Sequence, residues 1–158
     1  MVTTLAGDVM LRKSNARDRA AVERLLTSHQ LPIAGISAAL DGFVVAESAG
    51  AIVGVIGLEP WGSCGLLRSA AVDPAWQGRG VGRRLVERVL SDAESRKMSA
   101  VYLLTTTAEC WFPAFGFVVT PRSDVPDVLR SSVEFQGACP ASAILMVREC
   151  GPRSVKDV

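Results

Sequence analysis

The sequence predicts a single mixed α/β domain built on a largely antiparallel sheet. Two apolar stretches, residues 43–47 and 52–58, flank Ser-Ala-Gly at 48–50, a spacing that is typical of an antiparallel hairpin. After the hairpin, strand-like and helix-like patterns alternate along the chain. The chain has 158 residues, of which 49% are hydrophobic and 21% charged, so we expect residues 1–158 to form one domain with its own core.

The N-terminal elements are predicted to be a short strand and a helix. Residues 9–13 form a short alternating stretch, which predicts a strand. Asn15 is placed to cap a helix over residues 16–30, whose apolar side chains recur at rough helical spacing: Ala20, Ala21, Leu25 and Leu26. Proline and glycine within residues 31–42 predict a connection that contains a helical turn.

The middle of the chain predicts a strand followed by a helix. Pro60, Gly62 and Gly65 are expected to break the chain before a strand over residues 66–72, which Asp73-Pro74 ends. A helix then runs to about residue 96 and carries one apolar face. That face consists of Val81, Leu85, Val86, Val89, Leu90 and Ala93.

The remaining elements are a buried strand, a short aromatic helix closed by Gly116, a further strand, a short amphipathic helix and a final apolar strand. In chain order they span residues 100–105, 108–115, 117–120, 126–137 and 141–148. With the four strands before them, these segments predict a sheet of about seven strands flanked by helices.

Charge and hydropathy argue against several classes of partner. The net charge of +1, from 17 Lys and Arg against 16 Asp and Glu, gives no reason to expect nucleic acid or an acidic membrane surface. The densest apolar run, residues 51–58, has the length of a strand and not of a membrane span. The first residues show no charged segment before an apolar core, so we expect no secretory signal and a cytoplasmic location.

The cysteines and the single histidine limit the kinds of metal site that the chain could form. Cys64, Cys110, Cys139 and Cys150 have no CxxC spacing, which favours reduced and mostly buried thiols. A soft-metal or metalloid thiol site, with Cys139 and either Cys64 or Cys110, is the alternative. His29 is the only histidine, so a zinc site with several histidines is excluded and we predict no metal.

A glycine-rich segment, WQGRGVGRRL at residues 76–85, stands where a helix must begin. Unpaired N–H groups in the first turn of a helix form an anion site, and glycines let a phosphate approach them closely. The segment is not a Walker loop, because no Lys-Ser or Lys-Thr follows, and position 83 is Arg83 where the dinucleotide fingerprint needs glycine. The pattern that fits is Q-x-x-G-x-G, with Gln77, Gly80 and Gly82.

In its context the segment resembles a known family. LRSAAVDPAWQGRGVGRRLVERVL is similar to the coenzyme-A-binding core of the GCN5-related N-acetyltransferases (GNAT), and WFPAFGF is similar to that family's short aromatic helix. The resemblance covers about residues 5–148. LLRSAAV, YLLTTTAECWF, FGF and CPASAILMV resemble a bacterial subgroup of arsenic-resistance N-acetyltransferases, and the L-R-[ST]-x-A-V strand also resembles amino-acid N-acetyltransferases of the acetylglutamate-synthase type.

The resemblance implies a binding site for acetyl-CoA as co-substrate. Backbone N–H groups of the glycine segment would hold the pyrophosphate, with Arg79, Arg83 or Arg84 either adding charge or lying solvated on the helix. The implied contacts are Gln77, Gly78, Arg79, Gly80, Val81, Gly82 and Arg83. Pantetheine would pair with the backbone of Ala70, Ala71 and Val72, where an N–H could also stabilise the thioester oxyanion.

For the proton transfers of the reaction, the sequence indicates a candidate base but no clear general acid. A protonated amine is no nucleophile, so the site must accept a proton, and Glu59 is the candidate base, acting through water. Its alternative role is that of a solvated residue in a turn. Many family members carry a tyrosine where this chain has Phe112, which is still implied to contact the cofactor. The only tyrosine, Tyr102, lies in a buried strand, so the thiolate would leave unassisted or be protonated by water or another hydroxyl.

Arg68 and Ser69 are the candidate acceptor-binding residues. An arginine inside an apolar strand is costly unless it meets an anion, and a guanidinium suits the carboxylate of an amino acid. The alternative for Arg68 is an internal salt bridge to Glu59 or another acid. Strand alternation predicts that Arg68, Ala70 and Val72 share one face. Thr105 and Ser142 could complete the pocket, and residues 124–136 have room to form a lid over it.

The function expected from the resemblance is transfer of an acetyl group from acetyl-CoA to the primary amine of a small amino-acid-like acceptor, with a link to arsenic resistance. Two alternatives stay open: an acetyltransferase for peptide or protein amines, and a non-catalytic module that binds acyl-CoA or senses metalloids through thiols. Because GNAT domains often pair, the resemblance also implies a homodimer.

Overall fold

The computed structural model describes residues 8–33, 35–36, 42–132, 134–138 and 142–150. Seven strands form one sheet in the order β1-β2-β3-β4-β5-β7-β6. They are β1 (Met10–Lys13), β2 (Phe43–Ser48), β3 (Ala51–Trp61), β4 (Cys64–Val72), β5 (Ala100–Thr105), β6 (Val118–Val119) and β7 (Ile144–Glu149). β4 pairs with β5 in parallel, whereas β1–β2, β2–β3, β5–β7 and β6–β7 are antiparallel. The predicted mixed fold with a mostly antiparallel seven-stranded sheet is confirmed.

Within the residues that the structure describes, the longer helices are α1 (Arg19–Ser28) and α2 (Val81–Ser95), and shorter helical turns occur elsewhere along the chain. Those of 3-10 type are Ala16–Asp18, Pro74–Trp76, Phe112–Phe115, Arg122–Asp124 and Asp127–Ser131. A wide turn follows at Glu134–Ala138. The amphipathic helix predicted over residues 126–137 is wrong, because Pro126 precedes only a 3-10 turn and Gly137 adopts a positive φ of 115°.

The chain divides into two compact units, to which β3 and β4 both contribute. The first comprises Met1–Gly57 with Ser69–Val89, and the second comprises Leu58–Arg68 with Leu90–Val158. The core of the first unit joins α1 to the hairpin strands through Val22, Leu25, Leu26, Ile36, Phe43, Val45, Val55 and Ala71. The core of the second joins the segment after β6 to the sheet through Leu66, Val125, Leu129 and Leu145.

Most local predictions hold at the level of elements. The β2–β3 hairpin turns at Ala49 and Gly50, whose positive φ angles of 51° and 84° suit a two-residue turn. The apolar face predicted for α2 is buried at all six positions. In α1 the buried residues are Val22, Leu25 and Leu26, so the expectation that Ala20 lies on the apolar face is wrong.

Pro60 does not break the chain as expected, because β3 continues through it to Trp61. The pairing of β2 with β3 ends at Phe43↔Gly57, before the proline is reached. On the side of β3 that faces β2, a residue without an N–H therefore loses no ladder hydrogen bond at this position. The break occurs two residues later, at the Gly62-Ser63 turn.

Arg12 and Asp18 fasten the start of α1 to β1. Arg12 Nη1 and Nη2 donate to the two carboxylate oxygens of Asp18 at 2.8 and 2.9 Å, and Arg12 Nε donates to Glu47 at 2.8 Å. Asp18 also accepts from the N–H of Asn15 at 2.8 Å, which completes a capping box. The hydrogen bond from Arg12 lowers the pKa of Asp18, so the charged carboxylate stabilises the folded state.

This arrangement predicts an acid-sensitive contribution to stability. Because the pKa of Asp18 is lower in the folded state, its contribution is complete above the unfolded pKa of about 3.9 and is lost as the pH falls through the folded value. We expect Asp18→Asn to lower the free energy of unfolding by about 1–3 kcal/mol at pH 7. Urea titrations should show the gap to wild type closing toward pH 2, whereas a gap that is unchanged at both pH values contradicts the assignment.

Candidate functional site

The glycine-rich segment in the first unit is shaped by two side-chain hydrogen bonds. Asp73 accepts from the N–H of Ala75 at 2.8 Å and so caps the 3-10 turn that ends β4. Gln77 Nε2 donates to the carbonyl of Val72 at 3.0 Å, which folds the following residues back toward the strand end. The predicted helix start is thereby fixed by polar contacts on its N-terminal side.

Gly78 and Gly80 adopt φ angles of 78° and 83°, a conformation that favours glycine. A Cβ built at either position would meet nothing within 4 Å, so the space beside this backbone is open. Arg84 N–H donates to the carbonyl of Gly80 at 3.1 Å, which is the first hydrogen bond of α2. The N–H groups of Val81 and Gly82 therefore lie in the first turn of α2, where the helix itself offers N–H groups no carbonyl, and no acidic side chain stands in that turn.

The arginines of the segment differ in their surroundings. The guanidinium of Arg79 stacks over the Trp76 ring, 4.9 Å from its centroid. Arg83 forms an exposed ion pair of 3.8 Å with Glu87, one turn along α2. Arg84 Nη1 donates to the carbonyl of Val9 at 3.0 Å. Arg79 and Arg83 thus stand at the helix start as the sequence suggested, whereas Arg84 is tied to the N-terminal strand.

The C-terminal part of β4 carries the backbone expected to meet pantetheine. The pairing of β4 with β5 runs from Cys64↔Ala100 to Leu66↔Tyr102, so it ends well before β4 does. Of the three predicted contact residues, Ala71 is buried in the core of the first unit, and Ala70 and Val72 are half-buried. Their backbone lies in the stretch of β4 that the β5 ladder does not reach.

Ser69 interrupts β4 with a φ of 61°. A positive φ in a strand residue other than glycine is uncommon and signals local strain, and it rotates the side chains that follow. The alternation that placed Arg68, Ala70 and Val72 on one face therefore does not continue across this residue. The sequence showed no glycine at this position that could have marked the irregularity.

The strain at Ser69 can be measured with a pair of variants. Ser69→Gly and Ser69→Ala both remove the hydroxyl, so their difference leaves out its hydrogen bonds; the buried methyl of alanine and the greater freedom of unfolded glycine both oppose the effect expected from the backbone. We expect the glycine variant to be more stable than the alanine variant by about 1–2 kcal/mol, because only glycine adopts a positive φ without cost. Equal stabilities in thermal or urea unfolding would show that the backbone of residue 69 is unstrained.

Arg68 lies in the second unit between two carboxylates. Its Nη1 donates to Glu59 Oε2 at 2.9 Å, and its Nε is 3.7 Å from Glu134 Oε2. The side chains are 0%, 13% and 4% exposed for Arg68, Glu59 and Glu134. The other oxygen of Glu59 accepts from Trp61 Nε1 at 3.1 Å. The internal salt bridge, which was the alternative role of Arg68, is present in the structure.

Glu134 was not singled out from the sequence. It lies in the stretch VEFQG, where a lone acid follows valine and precedes phenylalanine. An acidic residue in such apolar surroundings indicates a buried partner, and Arg68 is the buried cation that it meets. Its segment packs on the second core through Phe135, with Val125 and Leu129 buried before it. Val125 and Leu129 thus attach residues 124–132 to the second core, and Val133 of the predicted lid lies outside the described residues.

The aromatic turn is a packed structural element. Phe112 is buried and makes edge-to-face contacts with Trp111 and Phe117 at 5.0 and 5.6 Å between ring centroids. Gly116 closes the turn with a φ of 92°, as predicted. Arg148 Nε donates to the carbonyl of Phe115 at 2.9 Å and fixes the end of the turn to β7.

The remaining polar residues that the sequence suggested for the site lie in separate elements. Tyr102 contacts the core of the second unit, and burial raises the pKa of its phenol. Thr105 Oγ1 accepts from the N–H of Ala108 at 3.0 Å and so closes the turn after β5, while Ser142 is exposed. Cys110 is exposed in the turn before the aromatic helix, so it is an exception to the expectation of mostly buried thiols. Cys64 is buried, and Cys139 lies outside the described residues.

The described part of the chain bears on two further expectations, a metal site and a membrane span. Within it, no group of three or more His, Cys, Asp or Glu residues could hold a metal ion. Its helices include none with the length and apolar character to cross a bilayer. The homodimer and the cytoplasmic location stay predictions.

Comparisons with known proteins agree with the geometry of the glycine segment. Residues 39–119 match the family model of the acetyltransferase (GNAT) domain. The amino-acid acetyltransferase of Mycobacterium tuberculosis is 32% identical over 121 residues, covering 74% of this chain and 59% of the relative. The amino-acid acetyltransferase of Ralstonia nicotianae is 34% identical over 99 residues, covering 61% of this chain and 22% of the relative. This chain therefore spans between about a fifth and three fifths of the length of these two relatives.

The fold is shared with a solved enzyme structure. N-acetylglutamate synthase from Neisseria gonorrhoeae, complexed with coenzyme A and N-acetyl-glutamate, superposes with a TM-score of 0.80 at 21% identity. The match covers 92% of this chain and 36% of that chain.

Proposed function

This chain belongs to the GNAT acetyltransferase family, and on that premise we propose that it transfers the acetyl group of acetyl-CoA to the primary amine of a small amino acid. The observation that carries the proposal is the start of α2, where open space adjoins Gly78 and Gly80 and the first-turn N–H groups have no acidic cap. Such a helix start suits a pyrophosphate, because its amides and the helix dipole both favour an anion.

The residues that would hold acetyl-CoA follow from this geometry. The backbone from Gly78 to Arg83 would bind the pyrophosphate, with Gln77 fixing the segment and Arg79 and Arg83 adding charge from its exposed side. The backbone of residues 70–72 would pair with pantetheine where the β5 ladder has ended. Phe112 is proposed to make an apolar contact with the coenzyme. When bound, the coenzyme supplies an acetyl group activated as a thioester.

In the reaction, the acceptor amine loses a proton and its nitrogen attacks the thioester carbonyl. The new C–N bond forms as the C–S bond breaks, and the departing thiolate leaves with the electron pair. Glu59 is proposed to accept the amine's proton through water, since its side chain is the more exposed carboxylate beside Arg68. Phe112 carries no hydroxyl, so the thiolate is proposed to leave without a tyrosine acid; a thiol pKa of about 8.5 makes it a tolerable leaving group.

The acceptor class is supported by the relatives. The two reported above are named for amino acids and not for arsenic resistance, so the proposal commits to an α-amino acid. An arginine flanked by carboxylates at Arg68 also offers the one type of group that binds a carboxylate in a bidentate manner.

The experiment is thiol release from acetyl-CoA in the presence of a panel of amino acids, one arsenic-bearing analogue, and peptides with free N-termini. Turnover with a free amino acid, confirmed by mass spectrometry of the acetylated product, supports the proposal. Turnover with peptides alone would assign the chain to peptide amines. Binding of CoA with no turnover on any amine would show a non-catalytic module.

A further inference from the structure

Trp76 and Arg79 form a side-chain pair within the glycine-rich segment of the first unit. The guanidinium of Arg79 lies 4.9 Å from the centroid of the Trp76 ring, which is within the range of a cation–π contact. Trp76 is half-buried, whereas Arg79 is exposed. The contact therefore places a cation at the surface, beside the backbone that is proposed to bind pyrophosphate.

The Trp76 ring stands on a well-fixed stretch of backbone. Trp76 ends the 3-10 turn Pro74–Trp76, and its N–H donates to the carbonyl of Asp73 at 2.7 Å. The carboxylate of Asp73 caps the same turn through the N–H of Ala75 at 2.8 Å. Pro74 restricts the backbone at the first position of the turn. The main chain thus attaches the ring to the end of β4 before any ligand binds.

Arg79 has little else to hold its side chain in place. Gly78 and Gly80 flank it, and open space adjoins both of them. In the part of the chain that the structure describes, no carboxylate pairs with Arg79, whereas Arg83 pairs with Glu87 at 3.8 Å. A guanidinium that lies with its face on a ring keeps its N–H groups in its own plane, where they can still donate. The Trp76 ring therefore orients the group without occupying its donors.

We propose that Trp76 is a positioning residue that holds Arg79 in place to bind a phosphate group of coenzyme A. This inference rests on the proposed acetyl-CoA site. An arginine side chain loses rotational freedom when it binds a ligand, and the Trp76 ring removes part of that freedom beforehand. The phosphate gains a charged, planar donor in addition to the backbone N–H groups. Coenzyme A offers a pyrophosphate and a 3′-phosphate on its ribose, and the experiment distinguishes them.

A double-mutant cycle on the Kd for CoA, measured by isothermal titration, tests the pairing. Arg79→Met removes the donor and should raise the Kd about tenfold. Trp76→Leu leaves the arginine without its ring and should raise the Kd about twofold to fivefold. In the Arg79→Met background, Trp76→Leu should change the Kd no further, because the ring acts only through the arginine. Trp76→Phe keeps an aromatic face and should stay within about twofold of wild type.

The same variants separate coenzyme binding from the chemical step. Trp76→Leu should raise the KM for acetyl-CoA, while the kcat and the KM for the acceptor stay those of wild type. Repeating the cycle with 3′-dephospho-CoA shows which phosphate Arg79 meets. Coupling that persists assigns Arg79 to the pyrophosphate, and coupling that is lost assigns it to the 3′-phosphate. Either result supports the inference.

Arg19→Met is the matched control, because Arg19 is an arginine of the same unit that is 57% exposed and pairs with Glu23 on α1. Its Kd for CoA should equal that of wild type. The inference is overturned if Trp76→Leu has the same effect with and without Arg79, or if Arg19→Met weakens CoA binding as much as Arg79→Met. If the wild type binds no CoA, the proposed acetyl-CoA site is overturned and the inference with it.

Discussion

Replacing Arg68 with methionine lowers the free energy of unfolding by about 3–5 kcal/mol, because it leaves the carboxylates of Glu59 and Glu134 buried without their cation. Methionine fills similar volume, so the loss reports charge and not a cavity. For a chain of 158 residues this corresponds to a fall in Tm of roughly 6–20 °C. Urea unfolding monitored by tryptophan fluorescence measures it directly.

The control variant neutralises Glu59 and Glu134 together with the replacement of the arginine. In the triple variant Arg68→Met, Glu59→Gln, Glu134→Gln, none of these three side chains carries a charge, and we expect more than half of the lost stability to return. A loss below about 1 kcal/mol in Arg68→Met, as for a surface ion pair, would contradict the buried cluster. So would a triple variant less stable than the single one.

Replacing Gly80 with alanine weakens CoA binding by about tenfold to a hundredfold. The Cβ would enter the open space beside the first turn of α2 and would keep a phosphate from the N–H groups there. Losing one hydrogen bond to a charged group costs about 1.5–3 kcal/mol, which sets this range. Isothermal titration with CoA, and the KM for acetyl-CoA in the thiol-release assay, both report the effect.

Gly50→Ala provides a closely matched control. Gly50 has a φ of 84° against 83° for Gly80, and in both cases an added Cβ meets nothing within 4 Å. The two variants should therefore lose similar stability, about 1–2 kcal/mol, from the positive φ. Only Gly80→Ala should lose affinity for CoA. Equal affinities in the two variants would mean that the glycine segment does not meet the coenzyme.

The parts of the fold that were predictable are those set by local patterns. The six-residue apolar face of α2, the turn at Ala49-Gly50 and the Gly116 cap follow from periodicity and from glycine's freedom at positive φ. The glycine-rich start of α2 was also predictable, because a run of residues without side chains is visible in the sequence itself. Each of these signals is confined to a short stretch of sequence.

The parts that were not predictable depend on distant partners. Glu134 lies 66 residues after Arg68, and no spacing rule joins them. The positive φ of Ser69 is imposed on a residue that does not favour it, so the irregularity of β4 left no mark in the sequence. Pro60 lies within a strand because the β2 ladder ends before it, which is a property of the sheet and not of the proline.

Backbone amides at the start of α2 are proposed to hold the pyrophosphate of acetyl-CoA, and amide chemical shifts test this contact most directly. In a titration of ¹⁵N-labelled protein with CoA, the amide protons of residues 78–83 should move downfield as they form hydrogen bonds, and inorganic pyrophosphate should shift the same amides at higher concentration. If CoA binds but the amide chemical shifts of residues 78–83 do not change, these amides do not hold the pyrophosphate. The same conclusion follows if neither CoA nor inorganic pyrophosphate changes them.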